Sequence, residues 1–173
     1  MKETLADLKT RRAVRSYKPE TITREELDTV LEAGTYAPTA MGSQRACIVA
    51  VTNRADRDAL SRLNAAVMGR DGDPFYGAPV VCVVFADSTW PQTQKDGALI
   101  MGNLMNAAHA IGLGSCWIDR AAESLDCEEG RALMKKWGVP EGYVGVGNCI
   151  LGYIAGDAPE AKTRKEGFVI YAE

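Results

Sequence analysis

Cationic side chains are the residues of this sequence that are best placed to do chemistry, and they lie in two short segments. The first, TRRAVRSYKP at residues 10–19, contains no acidic residue and four cations: Arg11, Arg12, Arg15 and Lys18. The second, near the C-terminus, contains three more: Lys162, Arg164 and Lys165. Because the formal net charge of the whole chain is −3, the remainder is strongly acidic. Two small basic segments in such a protein suit one compact anion, such as a phosphate, bound from two sides.

Two other interpretations of these segments stay open at this stage. Each segment taken alone is also typical of a solvated charged surface. Binding of nucleic acid by residues 10–18 would predict retention of DNA or RNA that depends strongly on salt. The acidic remainder disfavours this interpretation, because nucleic-acid-binding proteins usually present a whole basic face. We therefore expect no nucleic-acid partner.

Cysteine and histidine do not form a recognisable metal or nucleophile site. Five cysteines without C-x-x-C spacing and a single histidine provide too few ligands for a Cys/His cage. Cys47, Cys82 and Cys149 lie in apolar stretches and are expected to be reduced core thiols. His109 lies in an apolar helix, where packing is more plausible than a role in a Ser-His-Asp triad. Since neither a G-x-G-x-x-G fingerprint nor a P-loop occurs, an organic cofactor is the expected source of any difficult chemistry.

The totals predict one domain spanning residues 1–173. A chain of this length with 46% hydrophobic residues can bury one sizeable core and is too short for two ordinary domains. The longest apolar run, residues 98–114, contains asparagine and histidine and falls short of the ~20 residues that a membrane crossing needs. The N-terminus lacks the apolar region of a secretory signal. We expect a cytoplasmic protein with no membrane partner.

Hydrophobic periodicity predicts helices alternating with a few strands, as in an α/β or α+β architecture with a small sheet. The expected helices lie within residues 3–12, 21–34, 55–68, 94–111 and 125–137. The expected strands are 47–52, 79–86, a short one within 112–119, and 143–154. Thr23 followed by Glu26 indicates a capping box at the start of the second helix. The β-prone segment 168–172 is expected to pair with a sheet edge, in its own subunit or in a partner's.

Several stretches together resemble the FMN-dependent nitroreductase family along essentially the whole chain. They are TRRAVRSYKPETITREELDTVLEAGTYAPTAMGSQ, FYGAPVVCVVFAD, DGALIMGNLMNAAHAIGLGSCWI and the late KTR. The resemblance implies an α+β fold with a small mixed β-sheet surrounded by helices, in a homodimer that exchanges its C-terminal segments. It also implies FMN as the cofactor, NADH or NADPH as the donor, and ping-pong transfer to nitroaromatic, quinone or similar electron-poor small molecules.

The resemblance assigns the basic segments to the flavin. Arg11 and Arg12 would contact the FMN phosphate, and Ala13 would line the ribityl chain. Lys162 and Arg164 would close on the same phosphate from the far side. Arg15 would approach the pyrimidine edge, where a cation favours the anionic reduced flavin. No side chain is then expected as a dedicated catalytic acid or base, since flavin N5 carries the chemistry and Arg15 tunes it.

Three further regions are implied to contact the cofactor. A turn contributes ribityl and ring contacts across the dimer interface through Pro38, Thr39, Ala40, Met41, Gly42, Ser43 and Gln44. Asn64 matches an amide at the pyrimidine edge. The backbone of Ile118, Asp119 and Arg120 falls where an N–H near flavin N5 is usually presented. Trp90 and Trp117 either border the substrate face or pack in the core or the interface.

The sequence also departs from the family pattern. Arg45 and Ala46 follow Gln44 where many members have Pro-Trp, and Gly42 stands where a polar side chain is common. The chain is short for the family, so we expect an open active site with poor substrate selectivity. A low-turnover flavin-binding dimer, acting as a sensor, store or partner-binding module, is the alternative function.

Overall fold

The computed structural model describes residues 2–157 and 159–173, and its helices flank a small sheet. The helices are α1 Glu3–Thr10, α2 Arg24–Thr35, α3 Arg54–Met68, α4 Thr93–Ala110, α5 Ala121–Leu125 and α6 Glu128–Trp137. A single 3₁₀ turn spans Ala40–Gly42. The strands are β1 Ala46–Val51, β2 Val80–Asp87, β3 Gly114–Ile118 and β4 Tyr143–Gly152. These bounds agree with most of the elements expected from periodicity.

The sheet has the strand order β1-β2-β4-β3, and every neighbouring pair is antiparallel. The mixed character expected of this sheet is confined to one parallel bridge between Ala13 and Ser115. A register shift interrupts the pairing of β2 with β4 between Val84 and Phe85. The N-terminal segment that carries the arginines therefore joins the sheet beside β3, at one edge.

Helices cover both faces of the sheet. One core layer joins α2 and α4 to the sheet through Val30, Met101, Leu104, Cys82 and Val84, among others. The opposite layer joins α3 and α5 to the other sheet face. Strand β2 is buried from Val80 through Ala86, which explains why its sequence is continuously apolar rather than alternating.

The capping box expected at α2 is confirmed. The Glu26 amide donates to Thr23 Oγ1 at 3.2 Å, and the Thr23 amide donates to Glu26 Oε2 at 2.8 Å. The hydroxyl of Tyr153 donates to the same carboxylate oxygen at 2.7 Å. These hydrogen bonds lower the pKa of Glu26, the largest effect coming from the Thr23 amide. The start of α2 is thereby tied to the end of β4.

The helix expected over residues 125–137 is confirmed as α6, which begins at Glu128, and a short separate helix, α5, precedes it. Cys127 caps the start of α6, and its Sγ accepts the Gly130 amide at 3.3 Å. A Cβ on Gly130 would lie 2.5 Å from the Cα of Leu125. The two short helices therefore meet at a corner that leaves no room for a side chain at residue 130.

The expected core thiols and the expected packing histidine are largely confirmed. Cys82 and Cys149 are fully buried free thiols, and burial raises the pKa of Cys82 to about 12. Cys47 is only half-buried. His109 is also half-buried, with its Nε2 2.8 Å from the Thr10 hydroxyl. The same hydroxyl lies 2.9 Å from the Ala6 carbonyl oxygen, to which it donates.

Candidate cofactor site

The basic N-terminal segment is bound to the sheet beside β3 by backbone hydrogen bonds. After α1 ends, the Val14 amide donates to the Ser115 carbonyl at 2.9 Å, and the Lys18 amide donates to the Tyr153 carbonyl at 2.9 Å. Val14 is buried and Arg15 is exposed, as expected for an extended segment lying along a sheet edge. The sheet thus holds the backbone while the arginine side chain points away from the core.

Two facing glycines make room for this segment. Gly114 of β3 lies opposite Gly152 of β4 in the sheet register. A Cβ on Gly114 would lie 3.0 Å from Val14 Cγ1, and one on Gly152 would lie 2.9 Å from Tyr17 Cδ1. The Tyr17 hydroxyl donates to the Val14 carbonyl at 2.7 Å and closes the segment on itself. Close approach of the segment therefore depends on these small residues.

Arg12 folds back over the C-terminal end of α1. Its Nη1 donates to the Lys9 carbonyl at 2.8 Å and to the Arg11 carbonyl at 2.7 Å. Its Nε is buried and has no hydrogen-bond partner among the described residues. An unpaired buried donor on a guanidinium is costly, so it indicates a missing acceptor. Arg11, the preceding residue, is half-buried as well.

Arg15 lies at a cavity of about 340 Å³. Its guanidinium carbon is 6.0 Å from the centroid of the Tyr76 ring, within the range of a cation–π contact. The same cavity is lined by Trp117, Ile118, Asp119 and Arg120. The structure therefore brings together two predicted groups of site residues that are far apart in sequence, Arg15 and residues 118–120.

Asn64 holds the turn of residues 118–120 through two hydrogen bonds. This asparagine is fully buried on α3, and its Nδ2 donates to the Asp119 carbonyl at 2.8 Å. Its Oδ1 accepts from Arg120 Nε at 3.2 Å. Arg120 has φ 68°, a left-handed conformation unusual for a residue with a Cβ. Because both ends of the Asn64 amide are engaged within the chain, its direct contact with a flavin edge stays a prediction.

The loop that carries Tyr76 is anchored by a carboxylate that the sequence analysis missed. Asp73 accepts from Ser61 Oγ at 2.6 Å, from two backbone amides of its own loop, and from the buried Arg57. Burial alone would raise the pKa of Asp73, but these donors outweigh it and hold the pKa below its usual value. The D-G-D-P spacing in the loop was the available signal, as aspartate commonly caps a turn through its own backbone.

The loop of residues 38–44 is also well defined. Thr39 Oγ1 accepts the Gln44 amide at 3.1 Å, and the Ala40 amide donates to Asp96 Oδ1 at 2.9 Å. Positive φ angles occur at three positions of the loop: Met41 (57°), Gly42 (63°) and Gln44 (50°). Pro38 and Met41 are exposed. The Ser43 hydroxyl is buried without a partner among the described residues.

Trp90 is connected to this loop through the carboxylate of Asp96. Its Nε1 donates to Asp96 Oδ2 at 3.0 Å, so the same carboxylate joins the indole to the Ala40 amide. The guanidinium carbon of Arg45 lies 4.9 Å from the Trp90 ring centroid. Trp90 is thus joined to the loop through Asp96, whereas Trp117 lines the Arg15 cavity.

A single chain does not unite the three predicted parts of the site. Thr39 and Gln44 line a different cavity, of about 290 Å³, from the one that Arg15 lines. Lys162 and Arg164 are exposed, and Arg164 Nη2 donates to the Lys162 carbonyl at 2.7 Å. No cluster of His, Cys, Asp or Glu suited to a metal ion occurs in the described part of the chain. None of the described helices is long and apolar enough to cross a membrane.

Comparison with known proteins identifies the family. The model of the nitroreductase family matches residues 8–71 and 63–153. The chain belongs to the nitroreductase family. A relative from Archaeoglobus fulgidus, provisionally named NADH dehydrogenase/NAD(P)H nitroreductase, is 30% identical over 158 residues, which are 88% of this chain and 86% of that protein.

Solved nitroreductases have the same fold. A nitroreductase from Bacteroides fragilis, solved with bound FMN, superposes with a TM-score of 0.92 at 31% identity over 100% of both chains. One from Desulfitobacterium hafniense, also with bound FMN, has a TM-score of 0.90 at 24% identity over 100% of both chains. At the lower identity the likeness concerns the fold alone. The family resemblance and the α+β architecture expected from the sequence are confirmed.

Proposed function

We propose that this member of the nitroreductase family is an FMN-dependent oxidoreductase. It would use NADH or NADPH to reduce nitroaromatics, quinones or similar electron-poor acceptors. The observation that carries the proposal is the meeting of Arg15 with the turn of residues 118–120 at one cavity. The bound FMN in the Bacteroides fragilis relative, which the chain covers in full, supports the same assignment.

The residues present fit the phosphate end of FMN. Arg12 has a buried Nε–H without an acceptor, and Arg11 lies next to it. A dianionic phosphate at this point would accept charge-assisted hydrogen bonds from both guanidinium groups. Lys162 and Arg164 of a partner chain's tail, which is exposed in a single chain, would bind the same phosphate from the other side. The buried donor is the feature that a merely solvated arginine would not show.

Arg15 and the turn fit the ring end of the cofactor. Tyr76 holds the guanidinium of Arg15 over the cavity, while the buried Asn64 holds the turn. A cation at the pyrimidine edge would stabilise negative charge that develops on reduction. Backbone N–H groups at the turn would supply fixed donors without the entropy cost of a long side chain.

When bound, FMN supplies the redox chemistry by accepting two electrons from a reduced nicotinamide and releasing them to an acceptor. The protein's task is to orient the two partners and to keep the cavity shaped for a flat ring. In a ping-pong cycle the oxidised donor leaves before the acceptor arrives at the same face. Trp117, which lines the cavity, would provide an apolar wall for either partner.

We further propose that the active form is a homodimer with exchanged tails. Strand β1 is the open edge of the sheet, because the segment around Ala13 covers the edge at β3. Two cavities lie along β1, and both are lined by Leu31 of α2. In the tail, four large apolar side chains are exposed: Phe168, Val169, Ile170 and Tyr171. A partner's tail laid along β1 would cover both apolar surfaces.

The tail is not a strand in the structure of one chain. Residues 168–172 pair with no strand of their own subunit, so that part of the sequence-based expectation is wrong. The edge at β3 is already occupied by the segment around Ala13, and the edge at β1 is left open in one chain. Pairing with a partner's sheet stays a proposal, and it would also bring Lys162 and Arg164 to the other subunit.

An absorption spectrum of the purified protein, followed by anaerobic titration with NADH and NADPH, tests the proposed function. We expect a yellow protein, or a colourless one that takes up FMN, whose flavin absorbance bleaches promptly on addition of one donor. A protein that takes up no FMN would contradict the proposal. A flavin that stays oxidised with both donors would favour the low-turnover flavin-binding module instead.

A further inference from the structure

A buried asparagine in the last strand forms contacts that packing alone does not require. Asn148 lies within β4, is fully buried, and stands opposite Val83 of β2 and Ile118 of β3 in the sheet register. A valine or an isoleucine would fill such an apolar layer without needing a hydrogen-bond partner. A polar side chain at this position therefore indicates a task other than filling the core.

The side-chain amide of Asn148 is directed at the turn that lines the Arg15 cavity. Its Nδ2 donates to the carbonyl oxygens of Ile118 at 3.2 Å and Asp119 at 3.3 Å. The Nδ2 of Asn64 donates to the same Asp119 oxygen at 2.8 Å. Two buried amides, one from β4 and one from α3, thus converge on a single carbonyl oxygen. Such convergence fixes the position of the turn relative to the rigid sheet.

The turn needs this support because of its backbone conformation. Arg120 has φ 68°, which a residue with a Cβ adopts only when its surroundings hold it there. The contact from Arg120 Nε to Asn64 Oδ1 at 3.2 Å closes the ring of hydrogen bonds. Among the described residues, the amide nitrogens of Asp119 and Arg120 donate to no backbone carbonyl. The turn therefore offers backbone donors at the cavity.

The other end of the Asn148 amide is unsatisfied. Its Oδ1 is buried and has no hydrogen-bond partner among the described residues. A buried acceptor without a partner lowers stability, and each such group in a native protein calls for an explanation. The retention of Asn148 despite this cost is consistent with a role of its Nδ2 donors at the turn.

We propose that Asn148, together with Asn64, is a positioning residue for the oxidoreductase reaction. The two amides hold the turn of residues 118–120 so that its backbone N–H groups face the reacting edge of the bound flavin. Neither amide touches the substrate, because each acts through the Asp119 carbonyl. This inference rests on the proposed function and assigns a role to a residue of β4 that lies beneath the cavity.

Replacement of Asn148 by leucine tests this role, with Asn103→Leu as the matched control. Asn103 also donates its Nδ2 to a backbone carbonyl, that of Ala33 at 3.0 Å, but on the opposite face of the sheet. Three quantities are measured for the wild type and both variants: the melting temperature of the apoprotein, the midpoint potential of bound FMN, and kcat with the preferred nicotinamide.

We expect N148L to melt below the wild type, since the loss of two hydrogen bonds to the buried turn outweighs the removal of one unsatisfied acceptor. Its midpoint potential should become more negative, because misplaced donors no longer stabilise the reduced ring, and kcat should fall by about 10-fold to 100-fold. N103L should keep the wild-type potential. A merely structural role would change the melting temperature and leave the potential unaltered.

The inference is overturned if N148L folds and keeps both the potential and kcat within about twofold of the wild type. Should N148L fail to fold, Asn148→Ser, which is smaller and keeps one donor, is measured in its place against the same criterion. Wild-type protein that takes up no FMN would refute the proposed function itself. That result differs from an unchanged N148L, which would leave the proposed function standing.

Discussion

At the residue scale, the site depends on donors that are held in place before any ligand arrives. Arg12 folds back over the end of α1, and its buried Nε has no partner among the described residues. The guanidinium carbon of Arg15 lies over the Tyr76 ring, 6.0 Å from its centroid. Preorganised charges of this kind stabilise developing charge without a reorganisation cost at the moment of reaction. The chemistry assigned to each arginine differs, because one would bind a phosphate and the other would adjust the electron affinity of a ring.

Substitution of Arg15 by glutamine should separate these two tasks. We expect R15Q to bind FMN with an affinity within about tenfold of the wild type but with a more negative midpoint potential, because a cation no longer faces the reduced ring. Arg15→Lys, which keeps the charge, should lie between the two. Spectroelectrochemical titration measures the potential, and equal potentials for the wild type and R15Q would rule out an electronic role.

At the scale of elements, the helices are fastened to each other by buried polar contacts as well as by the core. Asp56, near the start of α3, accepts from Lys136 Nζ at 2.6 Å and from Trp137 Nε1 at 2.8 Å, both at the end of α6. The hydrogen bond from Lys136 is the largest of several that lower the pKa of Asp56 from 3.8 to about 2. These contacts of Asp56 join the start of α3 to the end of α6.

The contacts of Asp56 predict how the free energy of unfolding depends on pH. Because the pKa of Asp56 is depressed in the folded state, its contribution is complete above about pH 4 and is lost as the pH falls through about 2. We expect Asp56→Asn to lower the free energy of unfolding by about 1–3 kcal/mol at pH 7. The difference from the wild type should shrink towards pH 2. Denaturant unfolding at several pH values measures it, and a pH-independent difference would contradict the assignment.

Two glycines of α4 should respond in opposite directions to alanine. A Cβ on Gly97 would lie 2.6 Å from Val146 Cγ2, whereas one on Gly102 would have no atom within 4 Å. Overpacking at Gly97 should cost about 1–3 kcal/mol. Gly102→Ala should stabilise the apoprotein by up to about 1 kcal/mol through helix propensity. Thermal unfolding compares the two, and equal shifts would show that the helix does not lie as close to β4 as described.

The elements were largely predictable from the sequence, because each signal was local. The capping box at Thr23 and the apolar run of β2 each identify an element without reference to the rest of the chain. The short helix α5 was not predicted, since its five residues are too few to show a helical periodicity. In the site, Arg15 and residues 118–120 could be anticipated only through family resemblance. Asn148 was missed, because one asparagine in an apolar strand does not reveal which carbonyl it contacts.

At the scale of the whole molecule, the parts of the proposed site lie apart in one chain. The cavity at Arg15 and the cavity at Thr39 are separate, and the basic tail is exposed. The proposed composite site at a subunit interface would explain why the chain leaves β1 open while its tail presents large apolar side chains. Assembly and cofactor binding are then expected to depend on each other.

Removal of residues 159–173 tests this dependence. We expect the truncated chain to be monomeric, or to dissociate at concentrations where the wild type is dimeric, and to lose FMN affinity at the same time. The single substitution Ile170→Asp should weaken the dimer in the same direction, because it places a charge in the proposed apolar contact. Light scattering at several concentrations measures assembly. A truncated chain that remains dimeric with full FMN affinity would contradict tail exchange.

The most direct measurement is the affinity of the apoprotein for FMN compared with riboflavin, which lacks the phosphate, in the wild type and in Arg12→Ala. Arg24→Ala, which removes an exposed cation paired with Asp28, is the control. We predict that the wild type binds FMN at least about tenfold more tightly than riboflavin, since charge-assisted hydrogen bonds contribute roughly 1.5–3 kcal/mol. R12A should lose most of that preference and R24A should keep it. Equal affinity of the wild type for both ligands, or a preference that R12A leaves intact, would contradict the assignment of the basic segment to a bound phosphate.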